Sequence, residues 1–235
     1  MKRWWLGAAG PSRNCVAIGT SALMAACGLF GTPKSEWHEV EFELPGTIVT
    51  LRLPGGESPD FLVAAARTKL DLRDGDAYDE WGTAEMIERY WDYHEFLVAG
   101  PLGTLKFNLV IRELPPERRY RADDIRAFGQ AVLAQNRYDW EKWQSDLERR
   151  GRGRIPATSA ESFEATMVGG KGAIHYRGTS DLTSENYAIP LDGRHLLEVR
   201  FLYIDNTRGA KSNWKSRAEA DARSIVGTVK LRAAP

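Results

Sequence analysis

The chain has 235 residues, of which 43% are apolar, 32 are basic and 32 are acidic. The first 26 residues hold three basic residues and no acidic one, so the other 209 residues carry 29 basic and 32 acidic side chains, a formal charge of −3. A mildly acidic domain does not bind nucleic acid through a basic surface, because phosphate contacts dominate that affinity. The apolar fraction also excludes wholesale disorder. We therefore predict a folded domain with no nucleic-acid partner.

The amino-terminal end has the pattern of a targeting segment. Lys2 and Arg3 give it a positive start. The stretch 16–26 is apolar but shorter than the about 20 residues that a membrane-spanning helix needs. It leads into Leu-Met-Ala-Ala-Cys-Gly at residues 23–28, which resembles a bacterial lipobox, although Met24 stands where Leu is commonest.

The lipobox resemblance implies that residues 1–26 are a signal peptide and that Cys27 is lipidated, with acyl chains such as palmitate. Residues 27–35 would then tether the domain to the membrane. Gly28 differs from the Asp that retains lipoproteins in the inner membrane, which favours the periplasmic face of the outer membrane. The alternative is an ordinary secretory signal in which Cys27 is incidental. Because Cys15 lies inside the leader, we predict no disulfide, thiol catalysis or cysteine metal site in the mature chain.

Residues 36–235 have the pattern of a single domain whose first half is rich in strands. Apolar and polar residues alternate over 37–44 and 48–53, which predicts a hairpin. A second hairpin is predicted from 90–98 and 104–114, joined by a glycine-rich turn. The segment 61–72 fits either a strand or a helix.

Two helices and a second group of strands are predicted in the rest of the domain. Asp123 or Asp124 is a suitable N-cap for a long helix that ends near Gly151. A final helix is predicted over 214–226. The predicted strands between the helices are 162–168, 173–177, 186–189 and 195–204. Together these elements predict an α+β fold, in which an antiparallel sheet from both halves is covered by a long helical segment and a C-terminal helix.

The end of the chain resembles the end of PsbP-like domains. The resemblance rests on Trp214, the alanine-rich helix after it, and the closing segment Ser-Ile-Val-Gly-Thr-Val-Lys-Leu at 224–231. It covers about the last fifty residues and implies an antiparallel sheet covered by helices that serves as a binding module. Some periplasmic immunity proteins that block toxic lipases of type VI secretion are similar in fold. No functional residue is transferred from this resemblance.

The sequence lacks the motifs of common catalytic and metal sites. No two of the four histidines have the spacing of a zinc site. The acidic segment 71–80 does not have the spacing of a calcium loop, and a solvated turn accounts for it. The glycines of 169–172 do not form a phosphate-binding loop. We therefore predict a protein that is not an enzyme and that has no cofactor and no metal.

Two groups of aromatic residues remain as candidates for binding. One contains Trp81, Tyr90, Trp91 and Tyr93, and the other contains Tyr138, Trp140 and Trp143. Packing in a core is the commoner role of such residues. In the segment 90–95, however, adjacent residues are both aromatic, and alternate residues of a strand share a face. One of two rows is therefore predicted to face a protein partner, and the rows are Tyr90, Asp92 and His94 or Trp91, Tyr93 and Glu95.

The sequence as a whole predicts an outer-membrane-anchored periplasmic lipoprotein that acts as a non-catalytic protein-binding module. Neutralising a secreted toxin, as an immunity protein, is one role that fits this prediction. A structural or assembly lipoprotein of the envelope is the alternative, followed by a carrier of a small ligand or lipid. The sequence leaves the partner and the oligomeric state open.

Overall fold

The computed structural model describes residues 33, 36–58, 61, 64–94, 100–152, 160, 162–179, 183–206 and 213–235. In these residues the fold is α+β, with two antiparallel sheets and two α-helices. The predicted α+β class is confirmed, but the strands form two sheets where the sequence predicted one. Residues 1–32, which include the leader and Cys27, lie outside the described residues.

The smaller sheet is built from both ends of the domain. β1 (Trp37–Leu44) and β2 (Thr47–Pro54) form the first predicted hairpin, whose turn contains Gly46 in the left-handed region with φ of 71°. The last strand of the chain, Lys230–Ala233, pairs with β2 on the side away from β1. The sequence did not predict this last strand, because four residues, two of them charged, are too short to show an alternating pattern.

The larger sheet contains six antiparallel strands. In chain order they are β3 (Thr83–Tyr93), β4 (Gly103–Glu113), β5 (Glu164–Val168), β6 (Lys171–Thr179), β7 (Thr183–Pro190) and β8 (His195–Asp205). Their order across the sheet is β3-β4-β8-β7-β6-β5. The strand Lys230–Ala233 of the smaller sheet is β9. The two halves of the sequence therefore meet where β4 pairs with β8.

The second predicted hairpin is present, but β3 begins at Thr83, well before the predicted start at residue 90. A β-bulge shifts the register between Glu85 and Ile87, and both Met86 and Ile87 are buried. Two consecutive buried residues interrupt the alternation that identifies a strand. The bulge is the reason that the sequence pattern concealed the first half of β3.

Both predicted helices are present as α1 (Ile125–Arg149) and α2 (Trp214–Thr228). The Asp124 carboxylate caps α1 by accepting the N–H groups of Arg126 and Ala127 at 3.1 and 2.9 Å. These donors would otherwise lack a partner at the helix start. Within the part of the chain that the structure describes, no helix is both long and apolar enough to cross a membrane.

One face of the larger sheet packs against the smaller sheet and α2. Trp91, Phe107 and Phe201 are fully buried there, with ring centroids of neighbouring pairs 6.4 and 5.6 Å apart. The Trp91 indole N–H donates to the carbonyl oxygen of Pro54 at 3.1 Å, which connects the two sheets. Trp214 of α2 belongs to the same buried cluster.

The opposite face of the larger sheet, called the outer face below, packs in part against α1. Phe128 and Val132 of α1 belong to a second buried cluster with Ile174, Tyr176 and Leu196 of the sheet. This cluster is small, and the outer face beyond it stays accessible.

Candidate functional site: a cleft between the long helix and the outer face

An open cleft of about 1040 Å³ lies on the outer face. It is lined by strands β3, β4, β6, β7 and β8, by α1, and by the segment 76–81 that precedes β3. Alternation along β4 explains why polar side chains line it. Leu105, Phe107 and Leu109 point to the core, whereas Lys106 and Asn108 point to the cleft.

A network of charged groups lies at the base of the cleft. Glu198 of β8 is 0% exposed, and its carboxylate accepts hydrogen bonds from Arg200 and Tyr176. Arg112 of β4 lies 3.8 Å from Glu198 and also pairs with Asp139 of α1. The network therefore joins the centre of the larger sheet to the helix above it.

Burial alone would raise the pKa of Glu198, because it disfavours the charged form. The charges of Arg200 and Arg112 outweigh that effect and hold the pKa of Glu198 below its ordinary value. Burial and the Glu198 charge raise the pKa of the Tyr176 phenol, so this phenol is a hydrogen-bond donor at neutral pH. The lowered pKa favours the carboxylate form of Glu198, which accepts hydrogen bonds from its neighbours.

Two further side chains of α1 form hydrogen bonds with the network. Arg112 donates to the Asn136 side chain at 2.6 Å, and Gln135 donates to Asp139 at 2.7 Å. The Nε atom of Arg112 is buried and has no hydrogen-bond partner among the described residues. Most polar groups at the base of the cleft are therefore already engaged within the protein.

Three tryptophans line the cleft with their rings partly accessible. Trp140 and Trp143 of α1 have ring centroids 4.9 Å apart, and Trp143 is 36% exposed. Trp81 precedes β3, and the Lys142 ammonium lies 4.1 Å from the centroid of its ring. Tyr138, on the same helix, is 50% exposed and lies beneath the Arg118 guanidinium at 4.6 Å.

The charged side chains of the cleft fall into two groups. Its basic residues each pair with a carboxylate, as Lys106–Glu88, Arg112–Asp139 and Arg200–Glu198. Three lining carboxylates, Asp76, Asp79 and Glu85, form no ion pair with any residue whose position is described. Asp79 instead accepts the N–H groups of Trp81 and Thr83 at 2.9 Å each.

Trp91 and Tyr93 of the predicted row Trp91, Tyr93 and Glu95 lie on the core side of β3. Trp91 and Tyr93 are fully buried, and the Tyr93 hydroxyl donates to Asp221 of α2 at 2.8 Å. Glu95 lies outside the described residues. The two aromatic members of this row are therefore packing residues, and neither is accessible to a partner.

In the predicted row Tyr90, Asp92 and His94, the first two residues point to the outer side of β3, but the row does not form an accessible surface. Asp92 is 3% exposed, and its carboxylate accepts hydrogen bonds from the hydroxyls of Ser58 and Thr104. The half-buried Tyr90 ring stacks on Phe61, with centroids 4.0 Å apart. His94 is half-buried. None of these residues lines the cleft.

The histidines of the larger sheet stay apart in the structure. His175 Nε2 lies 2.9 Å from Glu185, whereas His195 Nδ1 lies 2.9 Å from Asp192. Across the described ranges, no group of three or more His, Cys, Asp or Glu residues is placed to hold a metal ion. The acidic segment 71–80 contains a short 3₁₀ turn, Gly75–Ala77, which begins at the cap Asp74.

The sequence interpretation missed the cleft, although one signal for it was present. Glu198 and Arg200 stand at alternate positions in the mainly apolar strand β8, and Lys106 and Arg112, six residues apart, share one face of β4. Charged residues on one face of a central strand indicate a polar site on that face. Their partner Asp139 on α1 could not be identified from spacing.

Comparison with known proteins gives no family pattern for these residues. No protein-family model matches the chain, and no curated protein matches it significantly. The chemistry of the cleft residues themselves therefore has to support any function.

Proposed function

We propose that this chain is a non-catalytic, lipid-anchored protein of the bacterial envelope that binds a protein partner in the cleft. In this proposal α1 covers part of the outer face, and the partner enters between the helix and the sheet. The observation that carries the proposal is the presence of three partly accessible tryptophans, Trp81, Trp140 and Trp143, in a cleft whose base is polar and ion-paired.

The composition of the cleft favours a protein partner. Tryptophan, tyrosine and arginine are the residues that most often dominate the binding energy of protein interfaces. Trp143 and Tyr138 are two of the three large apolar side chains that are exposed in the described chain. Both lie on α1, and Trp143 is the one of the two that lines the cleft. A rigid helix can present such anchors with little ordering cost on binding.

The same composition gives less support to a lipid carrier. Pockets for small apolar ligands are mostly enclosed and apolar. This cleft is open, and its lining includes Arg112, Asp139, Asn186 and Arg200. An acyl chain against those groups would remove them from water without supplying hydrogen bonds, which is unfavourable.

The charged groups of the cleft support binding in preference to catalysis. A catalytic acid or base has to reach the reacting group. Glu198 is 0% exposed and is held by two arginines, and Asp139 is engaged with Arg112 and Gln135. The shifted pKa of Glu198 is the result of this structural network.

Neutralising a secreted toxin as an immunity protein, for example against type VI secretion, is the role we propose first. Assembly of the envelope is the alternative role, and both require a protein in the cleft. The identity of the captured partner separates them, because a secreted toxin supports immunity and a resident envelope protein supports assembly.

Site-specific photocrosslinking in the producing cells tests the proposal. The photoreactive residue p-benzoylphenylalanine replaces Trp143 at the cleft or, as a matched control, Met167 of β5, which is 64% exposed and does not line the cleft. We expect the Trp143 probe to form an adduct with one protein, identified by mass spectrometry, and the Met167 probe not to form it.

The purified partner should then bind the unaltered protein and bind Trp140→Ala at least tenfold more weakly, corresponding to about 1.4 kcal/mol. Equal adducts from both positions, or none from Trp143, would contradict a binding site in the cleft.

A further inference from the structure

The charges of the cleft are unevenly compensated. Each basic residue that lines it has its own carboxylate partner, whereas Asp76, Asp79 and Glu85 form no ion pair within the described ranges. These three carboxylates lie in the short segment 76–85, which also contributes Trp81 to the lining. One side of the cleft therefore has an excess of negative charge beside an aromatic ring.

Cations of the protein itself already approach this side. The Lys142 ammonium lies 4.1 Å from the centroid of the Trp81 ring and 3.4 Å from the carbonyl oxygen of Glu80. Arg67 donates to the carbonyl oxygen of Ala77 at 3.4 Å. Both cations contact backbone or ring atoms and leave the three carboxylates without an ion pair. Lys142 thus lies over the Trp81 ring in the geometry of a cation–π contact.

From these contacts we propose that the partner inserts a basic segment, carrying arginine or lysine side chains, into the cleft beside residues 76–85. This inference rests on the proposed function, and it specifies the chemistry of the partner. An arginine satisfies both features of this side, because its planar guanidinium pairs with a carboxylate and stacks on an indole. A neutral or acidic segment would leave the carboxylates unmatched.

The test measures binding of two soluble probes to the purified full-length protein in detergent. The probes are N-acetyl-hexaarginine amide and N-acetyl-hexacitrulline amide, which have nearly the same shape but differ in charge. Isothermal titration is carried out at low salt, where exposed charges are least screened. The cleft variant combines Asp76→Asn and Glu85→Gln, and the control combines Glu36→Gln and Glu39→Gln at the smaller sheet. All four carboxylates are exposed, so each double variant loses the same charge without losing buried contacts.

We expect hexaarginine to bind the unaltered protein and hexacitrulline not to bind. The cleft variant should bind hexaarginine roughly three- to tenfold more weakly, as expected for the loss of two exposed ion pairs, and the control should change by less than about twofold. Equal urea midpoints for the two double variants will exclude a folding defect. Equal binding of hexaarginine by the two double variants, or equal binding of both probes, would overturn the inference.

The titration tests the basic segment and the crosslinking tests the protein partner, so a negative result in one experiment does not decide the other. An adduct at Trp143 together with charge-independent binding would preserve the proposed function and reject the basic segment. Charge-dependent binding of hexaarginine without an adduct would reject the protein partner and preserve the preference of the cleft for cations.

Discussion

At the scale of single residues, Asp92 has a role that its neighbours in the sequence concealed. It lies between aromatic residues, which suggested an acidic-aromatic surface. In the structure its carboxylate is buried and accepts hydrogen bonds from Ser58 and Thr104, so it holds a loop to β4. A buried carboxylate with two hydroxyl donors satisfies its own hydrogen bonds, and it is not available to a partner.

Glu185 is another buried carboxylate, on the core side of β7. His175 lies 2.9 Å from it, and the Tyr203 and Tyr187 hydroxyls donate to it at 2.7 and 3.1 Å. Burial raises the pKa of this group, but the neighbouring His175 and the hydrogen bonds from the two tyrosines outweigh burial and lower the pKa to about 2. The carboxylate form is therefore strongly favoured in the folded protein.

This lowered pKa predicts a pH dependence of stability. Because the folded pKa lies below the unfolded value of 4.5, Glu185 stabilises the fold above about pH 5, and that contribution is lost as the pH falls from there towards 2. Glu185→Gln should cost about 2–3 kcal/mol of unfolding free energy at pH 7, and the difference from the unaltered protein should shrink by pH 3. Urea unfolding at pH 7, 5 and 3 measures it. The exposed Glu39→Gln is the control, and a pH-independent difference for Glu185→Gln would contradict the prediction.

At the scale of secondary structure elements, α2 packs on the sheets through four buried residues, Trp214, Ala218, Ala222 and Ile225, of which the first has by far the largest side chain. Trp214 is buried, and its ring centroid lies 6.1 Å from that of Tyr93. A Cβ atom at Gly103 would lie 2.4 Å from the Trp214 ring, so the indole packs directly on the backbone of β4. Only a residue without a side chain allows this contact.

We predict that Trp214→Ala lowers the free energy of unfolding by about 3–5 kcal/mol, because it empties a buried aromatic site. Gly103→Ala should also destabilise the protein, by about 1–3 kcal/mol, since it forces the same indole to move. The midpoints of urea unfolding measure both changes, with the exposed Lys215→Ala as a control on the same helix. A midpoint for Trp214→Ala equal to that of the control would mean that α2 is held by other contacts.

At the scale of the whole molecule, the proposed function links the predicted leader to the folded domain, because the domain would act at a membrane. The proposed function requires the domain to be retained at a membrane. The apolar stretch of the predicted leader is shorter than a membrane-spanning helix, so the proposal makes retention depend on a lipid at Cys27. The cleft and the smaller sheet lie on opposite faces of the larger sheet. In the proposed arrangement, a tether that precedes β1 would join the domain at the smaller sheet, away from the cleft.

We predict that Cys27→Ser abolishes acylation and releases the protein into the soluble periplasmic fraction. Labelling with radioactive palmitate and fractionation of the cells measure the two effects. Cys15→Ser is the matched control, because a cysteine inside the leader should not be acylated. Label absent from the unaltered protein, or membrane retention of Cys27→Ser, would show that the lipoprotein interpretation is wrong.

The amino-acid sequence by itself determined the features that depend on near neighbours. The hairpin at Gly46, the cap of α1 at Asp124, the strands after α1 and the beginning of α2 all have local signals, since turns, caps and periodicity involve residues close in the chain. The α+β class followed from these elements.

Only the tertiary structure decided how the elements combine. The separation into two sheets, the bulge that extends β3, and the assignment of Trp91 to the core depend on partners distant in the sequence. The cleft depends on them most, because Asp139 reaches Arg112, which also lies 3.8 Å from Glu198, only when α1 lies across the pair β4 and β8. Long-range packing and ion pairing have no periodic pattern in a single sequence, and for that reason the candidate site emerged only from the fold.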